Sequence, residues 1–211
     1  KWTALLQGCA AGGVGWEAVN VCMAPFLHPA DQKNLVQFAQ LMIFEFAYRA
    51  VVHSEARPPA EITLCWNVPP PLVDAPAVGP GGAETEHNYV DYAHTMQQFA
   101  WAVLDVFRSG GVDGTSFPAP VVRVLVDPQF FGAPGHDTFL DHAAALAAER
   151  GNVHFLLQRG EPDTPVGPSW QARELILQDV TLNLPRLAYE AGSEAGLYER
   201  LDALLRLAAE A

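Results

Sequence analysis

Four short β-rich segments, alternating with helical patterns along the chain, constrain it more than any other feature. They lie at 61–68 (EITLCWNV), 121–126 (VVRVLV), 152–157 (NVHFLL) and 176–184 (ILQDVTLNL). In the last of these Ile176, Val180, Leu182 and Leu184 recur at even spacing. Side chains two apart on a strand share a face, so these four predict one buried side. Ahead of the first strand, Leu35, Phe38, Ala39, Met42, Ile43 and Phe46 recur at helical spacing within 31–53, as do Tyr92, Met96, Phe99, Ala100, Val103 and Phe107 within 88–109, between the first two. Further helices are expected at 137–150 and at 197–209, the latter carried by Leu197, Leu201, Leu204, Leu205 and Ala208. Strands alternating with helices in this way build βαβ units, which places the chain in the α/β class. An open sheet and a closed barrel satisfy the pattern equally.

Local signals set the element ends. Asp31 is an N-cap candidate, Asn88 with Asp91 makes a capping arrangement, and Gly110-Gly111 and Gly151 stop the second and third helices. The stretch 69–82, PPPLVDAPAVGPGG, reads as a linker or a covering loop. Residues 7–20, QGCAAGGVGWEAVN, lack the Gly-Lys-Ser/Thr of a phosphate loop and the full Gly-x-Gly-x-x-Gly of a dinucleotide site. A tight turn opening a helix near Trp16–Asn20 is expected there.

Half of the 211 residues are hydrophobic, enough for one domain over 1–211 with its own core. The formal net charge of -12, with only 12 Lys and Arg spread along the chain, argues against nucleic acid and anionic membrane as partners. Cys9, Cys22 and Cys65 are odd in number and far apart, which predicts reduced thiols in a cytoplasmic protein and no four-Cys zinc site. No secretory leader pattern is present, and the most apolar helix carries Glu45, Tyr48 and Arg49, so no transmembrane span is expected. The start at Lys1-Trp2 without methionine suggests trimming or a fragment.

Few residues stand out chemically. Pro185 ends the fourth strand pattern, so Asn183 and Arg186 fall at or just past a strand end, where polar side chains commonly meet ligands. Asn183 can donate to and accept from hydroxyl groups, and Arg186 can meet a phosphate with its planar fork or pair with Glu190 one helical turn on. His87 and His94 with Glu84 and Glu86 make a weak metal pattern, read more simply as a solvated helix end. Cys65 has no basic neighbour in sequence to lower its pKa and reads as a buried, inert thiol. His154 reads as a satisfied core histidine. A Gly-x-Ser-x-Gly elbow is absent, against the common hydrolase.

Several stretches carry a family likeness. Residues 178–190, Q-x-V-T-L-N-L-P-R-x-A-Y-E, resemble a signature segment of the anaerobic, glycyl-radical (class III) ribonucleotide reductases. So do G-G-x-G-W-x-A-V-N at 12–20, A-P-F-L at 24–27, P-A-x-G-P-G-G at 76–82, Y-x-D-Y at 89–92 and Phe117-Pro118-Ala119-Pro120. The resemblance implies part of a ten-stranded α/β barrel and the reduction of ribonucleotides to deoxyribonucleotides by radical chemistry. It further implies a ribonucleotide substrate bound by Asn183 and Arg186, deoxynucleotide effectors, a homodimer and a radical-activating enzyme. The complete family enzyme uses a glycyl radical generated with S-adenosylmethionine and an iron–sulfur activase, plus structural zinc. Two departures matter. SEARPPAE at 54–61 replaces a basic, glycine-bearing turn, and QRGEPDTPVGPSWQAR at 158–173 lacks the cysteine of the family's finger loop, although Pro168, Trp170 and Arg173 resemble its landing. None of Cys9, Cys22 and Cys65 sits at a radical motif position, so no catalytic residue is assigned and no cofactor is expected in the chain itself. Inactivity alone is expected. The alternative is a degenerate, non-catalytic relative that binds a nucleotide or a partner.

Overall fold

The structure is a computed structural model and describes residues 14–52, 60–158 and 181–210. The chain divides into two compact units, 1–164 and 165–211.

In the first unit, β1 (Val14–Trp16), β2 (Ala60–Cys65), β5 (Val121–Val126) and β6 (Val153–Leu157) form one sheet in the spatial order β1-β2-β5-β6. All three pairings are parallel. Parallel neighbours need crossovers, and helices supply them. α1 (Val19–Leu27) and α2 (Gln32–Val52) join β1 to β2, α4 (Ala93–Ser109) lies between β2 and β5, and α5 (His136–Arg150) joins β5 to β6.

The helix signals act through visible hydrogen bonds. Asp31 Oδ1 accepts from Asn34 N at 2.8 Å, just before α2. Asn88 and Asp91 close a reciprocal capping box around a 3₁₀ turn, Tyr89–Tyr92, that leads into α4. Gly110 then ends α4 at φ 75°, and a Cβ there would stand 2.6 Å from Thr115 O. Only glycine fits both conditions.

The stretch 69–82 is not a linker. It holds a four-residue helix, α3 (Pro70–Val73), and strand β3 (Pro76–Val78), which pairs antiparallel with β4 (Glu84–Asn88) through a turn at Pro80–Gly82. Gly81 and Gly82 both sit at positive φ in that turn, so Pro and Gly here shape a hairpin rather than a spacer.

One face of the sheet is the core. Ile62, Leu64, Val122, Val124 and Val126 are buried there against Leu35, Ala39 and Ile43 of α2, Phe99, Val103 and Phe107 of α4, and Phe139 of α5. α2 and α4 therefore pack on the same side of the sheet. Each fully buried apolar side chain contributes about 1.5–3 kcal/mol relative to exposure. A second cluster, with Val21, Ala24, Cys65, Val68, Tyr89, Tyr92 and Met96, gathers beyond the C-terminal end of β2. At the α4–α5 contact, His142 Nε2 lies 3.1 Å from Asp105 Oδ1, and its ring centroid is 4.5 Å from Trp101.

The second unit contains α6 (Leu184–Ala191) and α7 (Glu194–Glu210), which pack on each other. The expected strand at 176–184 is corrected at its end: Leu184 is 51% exposed and begins a helix. Pro185 stops a strand by withholding an N–H, and the same property suits the first turn of a helix, where that N–H has no partner.

Candidate functional site

In parallel α/β sheets ligands collect at the C-terminal ends of the strands. Here that end is fixed with unusual care around β2. The last residue of β1 paired to β2 is Trp16, opposite Ile62, so β1 has already ended at the level of Cys65. The carboxamide of Asn20, wholly buried, takes its place. Its Nδ2 donates to Cys65 O at 2.7 Å and to Met96 O at 3.2 Å, and its Oδ1 accepts from Cys65 N at 2.9 Å. One side chain thus supplies the donor and acceptor that a neighbouring strand would have offered, and ties β2 to α1 and α4. The next residue is held as well: Gln97 Nε2 donates to Trp66 O at 3.1 Å, and Trp66 Nε1 donates to Pro134 O at 3.0 Å. The indole stacks on Phe139 with centroids 4.5 Å apart.

The sheet's other face carries the polar chemistry. Thr63, Arg123 and His154 share one rung, with Glu61 and Val121 one step toward the N-terminal ends and Cys65, Leu125 and Leu156 one step toward the C-terminal ends. Arg123 Nη2 meets both carboxylate oxygens of Glu61, at 2.9 and 2.8 Å. His154 is exposed, not a satisfied core histidine, because β6 is the last strand of the sheet among the described residues and this residue faces away from the helices. Burial, with the negative charges of Asp127, Cys22 and Glu17 adding to it, pushes the Cys65 thiol up to about 12. A thiol so placed stays protonated at neutral pH and is a poor nucleophile, as its sequence neighbours predict. His87, of the weak metal pattern, lies 3.8 Å from Asp91 in the capping box.

In the second unit, Asn183 N-caps α6. Its Oδ1 accepts from Arg186 N at 3.0 Å, and among the described residues no hydrogen bond engages its amide NH₂. Arg186 Nε binds Glu190 Oε1 at 2.7 Å, and Arg200 approaches the same carboxylate at 3.5 Å. The pair holds the Arg186 guanidinium above its ordinary pKa and the Glu190 carboxyl below its own, chiefly through that hydrogen bond. Among the described residues no hydrogen bond engages either Nη group of Arg186, so the helical pairing and an anion contact are compatible. Asn183 and Arg186 are brought together by the cap itself.

A sequence model of the family described as anaerobic ribonucleoside-triphosphate reductase matches residues 1–211. The chain belongs to that family. No curated protein sequence matches it. Among solved structures, the anaerobic ribonucleotide reductase from Thermotoga maritima with citrate in the active site aligns with a TM-score of 0.56 at 14% identity, covering 98% of this chain and 39% of that one. The same enzyme in complex with dATP and CTP aligns with a TM-score of 0.49 at 16% identity, covering 95% of this chain and 36% of that one. The first alignment shows a shared fold, an α/β arrangement with a parallel sheet. The chain spans well under half the length of the reductase chains it matches.

The reductase segments sort by position. Ala24-Pro25-Phe26-Leu27 lies in α1, and Pro76–Gly82 forms the hairpin. Gly12, Gly13, Cys9, the 159–173 stretch with Pro168, Trp170 and Arg173, and residues 176–180 of the expected strand lie outside the described residues. Sequence reasoning passed over Asn20, although it closes the G-W-x-A-V-N segment. An asparagine directly before an apolar helix run, with no exposed partner in sight, was the available signal. Asn183 as a cap was legible too: Asn followed by Leu-Pro is a helix start as much as a strand stop.

Proposed function

We propose that this chain is the barrel portion of an anaerobic ribonucleoside-triphosphate reductase, which reduces ribonucleotides to deoxyribonucleotides in the cytoplasm. What supports this reading is the family match running from residue 1 to residue 211. In it, Asn183 and Arg186 are substrate-binding residues. The Asn183 carboxamide has its oxygen committed to the helix cap and its NH₂ available, so it donates to a ribose hydroxyl. Arg186, steadied by Glu190, offers its Nη edge to a phosphate. The radical residues lie elsewhere in the complete enzyme. Cys65 does not sit at a radical motif position, and 158–173 contains no cysteine. The chain alone is therefore inactive.

The family's structural zinc does not fit the residues at hand. Among the described residues no group of three or more His, Cys, Asp and Glu is placed to hold a metal, and Cys22 and Cys65 are the free thiols described. S-adenosylmethionine and the iron–sulfur cluster belong to the activating partner. A homodimer is part of the proposal: Phe38, Leu41 and Phe44 of α2 are 45%, 64% and 38% exposed, an apolar stripe on the helix's exposed face. Among the described residues no helix is long and apolar enough to cross a membrane.

The second reading, a non-catalytic relative, draws on the missing cysteine between Leu157 and Trp170. An anaerobic assay separates the two. The complete protein carrying this chain, given a radical-activating enzyme and S-adenosylmethionine, is expected to form deoxynucleotides, and the chain alone none. Failure of the complete protein to do so after radical formation is detected by electron paramagnetic resonance supports the non-catalytic relative.

A further inference from the structure

We propose that the seam between α4 and α5 is a proton-sensitive latch: a neutral His142 holds it closed, and protonation of the ring lets α5 lift from α4 while the sheet stays folded.

The seam holds polar atoms that neither solvent nor, among the described residues, a hydrogen bond satisfies. His142 Nε2 is shielded from water and lies 3.1 Å from Asp105 Oδ1, within reach but out of hydrogen-bond alignment. Arg108 Nε is shielded too, and stands 3.6 Å from Glu149 Oε2. Buried donors without partners are uncommon and costly, so each calls for a reason. Packing holds the imidazole instead. Only 13% exposed, it leans on Trp101 with centroids 4.5 Å apart, and Trp101 meets Phe139 edge-on at 5.8 Å.

Charge decides which state of the ring the closed seam prefers. Asp105 and Arg108 of α4 and Glu149 of α5 are the charged groups that act on it. The two carboxylates favour an imidazolium, but both are half-exposed, so water and salt weaken their pull. Burial first, then Arg108, act the other way and prevail, so the closed seam selects the neutral ring.

α5 is also the element able to respond. It buries three residues, Phe139, Ala143 and Leu146, where α4 buries nine. Few buried contacts mark the elements that open locally, well before a domain unfolds. Arg150, the last residue of α5, donates from Nη2 to Arg108 O at 2.6 Å and from Nη1 to Gly114 O at 2.8 Å. Lifting α5 therefore also frees the 110–115 turn ahead of β5.

Hydrogen exchange of the complete protein, located by mass spectrometry, tests this. At each pH between 7.5 and 5.5 the native protein is compared with His142→Gln, whose side chain stays uncharged, so the intrinsic pH dependence of amide exchange cancels. Exchange through 137–149 and 110–115 should rise in the native protein relative to the variant as pH falls below about 6.5, by at most about ten-fold per pH unit. Protection in β2, β5 and α4 should stay equal in the two proteins. Arg108→Gln removes the charge that opposes protonation and should shrink the rise, while Asp105→Asn removes one that favours it and should enlarge the rise. A rise of equal size in His142→Gln, a rise shared by the whole sheet, or the reverse order of the two charge variants overturns the latch. If His142→Gln does not fold at pH 7.5, the order of the two charge variants decides alone.

Discussion

Replacing Asn20 with alanine removes three hydrogen bonds at one stroke from a wholly buried position. It strands one donor, Cys65 N, and two acceptors, Cys65 O and Met96 O. A buried backbone group left without its partner costs about 1–3 kcal/mol. Partial relaxation and water entry reduce the sum, so the expected loss is about 3–5 kcal/mol. That is a large share of the ~5–15 kcal/mol that holds a domain folded. Asn20→Leu refines the test, because it keeps the volume and deletes only the polar groups. It should cost nearly as much as Asn20→Ala if hydrogen bonding, rather than a cavity, is responsible. Asn20→Asp retains the acceptor for Cys65 N but sets a carboxylate against two carbonyl oxygens, so it should rescue nothing. Urea unfolding followed by tryptophan fluorescence reads all three, with the midpoint shifting at constant slope. A loss below about 1 kcal/mol for Asn20→Leu would refute the view that this side chain stands in for a strand.

Asn183→Ala should weaken the start of α6 by about 1 kcal/mol, seen as faster amide exchange through 184–191, and Asn183→Asp should restore the cap while losing the NH₂ donor proposed for substrate. Undiminished protection in the alanine variant would remove the capping role. Burial, with Arg108 adding to it, holds the His142 imidazole below its ordinary pKa, against the opposing pull of Asp105 and Glu149. A depressed histidine favours the unfolded state once protons bind. Stability is therefore full above the unfolded pKa of about 6.5 and declines as pH falls through the folded value. Melting temperatures between pH 7.5 and 5.5 should drop less for His142→Gln than for the native chain, and parallel curves would contradict the assignment. Cys65, with its thiol at about 12, should resist iodoacetamide at pH 8 in the folded protein and react on unfolding. Rapid native labelling at this position, located by peptide mapping, would show the burial to be wrong.

The α/β class and most element positions were legible because they depend on local periodicity. VVRVLV at 121–126 could only be a strand buried on at least one side, and β5 has those very limits. Asp31, the Asn88–Asp91 box and Gly110 marked helix ends because caps are short-range chemistry. The stretch 69–82 misled because Pro and Gly mark tight hairpins as readily as linkers, and pairing decides between them. His154 misled for a related reason: its neighbours are apolar, but whether a strand lies inside a sheet or at its edge is not written in the strand.

By itself, then, the sequence determined the alternation of strands and helices, the capped helix ends and the reductase family, since each is encoded in contiguous residues. Only the tertiary structure decided that Asn20 completes the end of β2, that Glu61 pairs with Arg123 62 residues away, and that Thr63, Arg123 and His154 stand level on three neighbouring strands. Those relations depend on strand order and register. Both are set by the packing of distant segments against a common core, a many-body outcome that no local pattern contains.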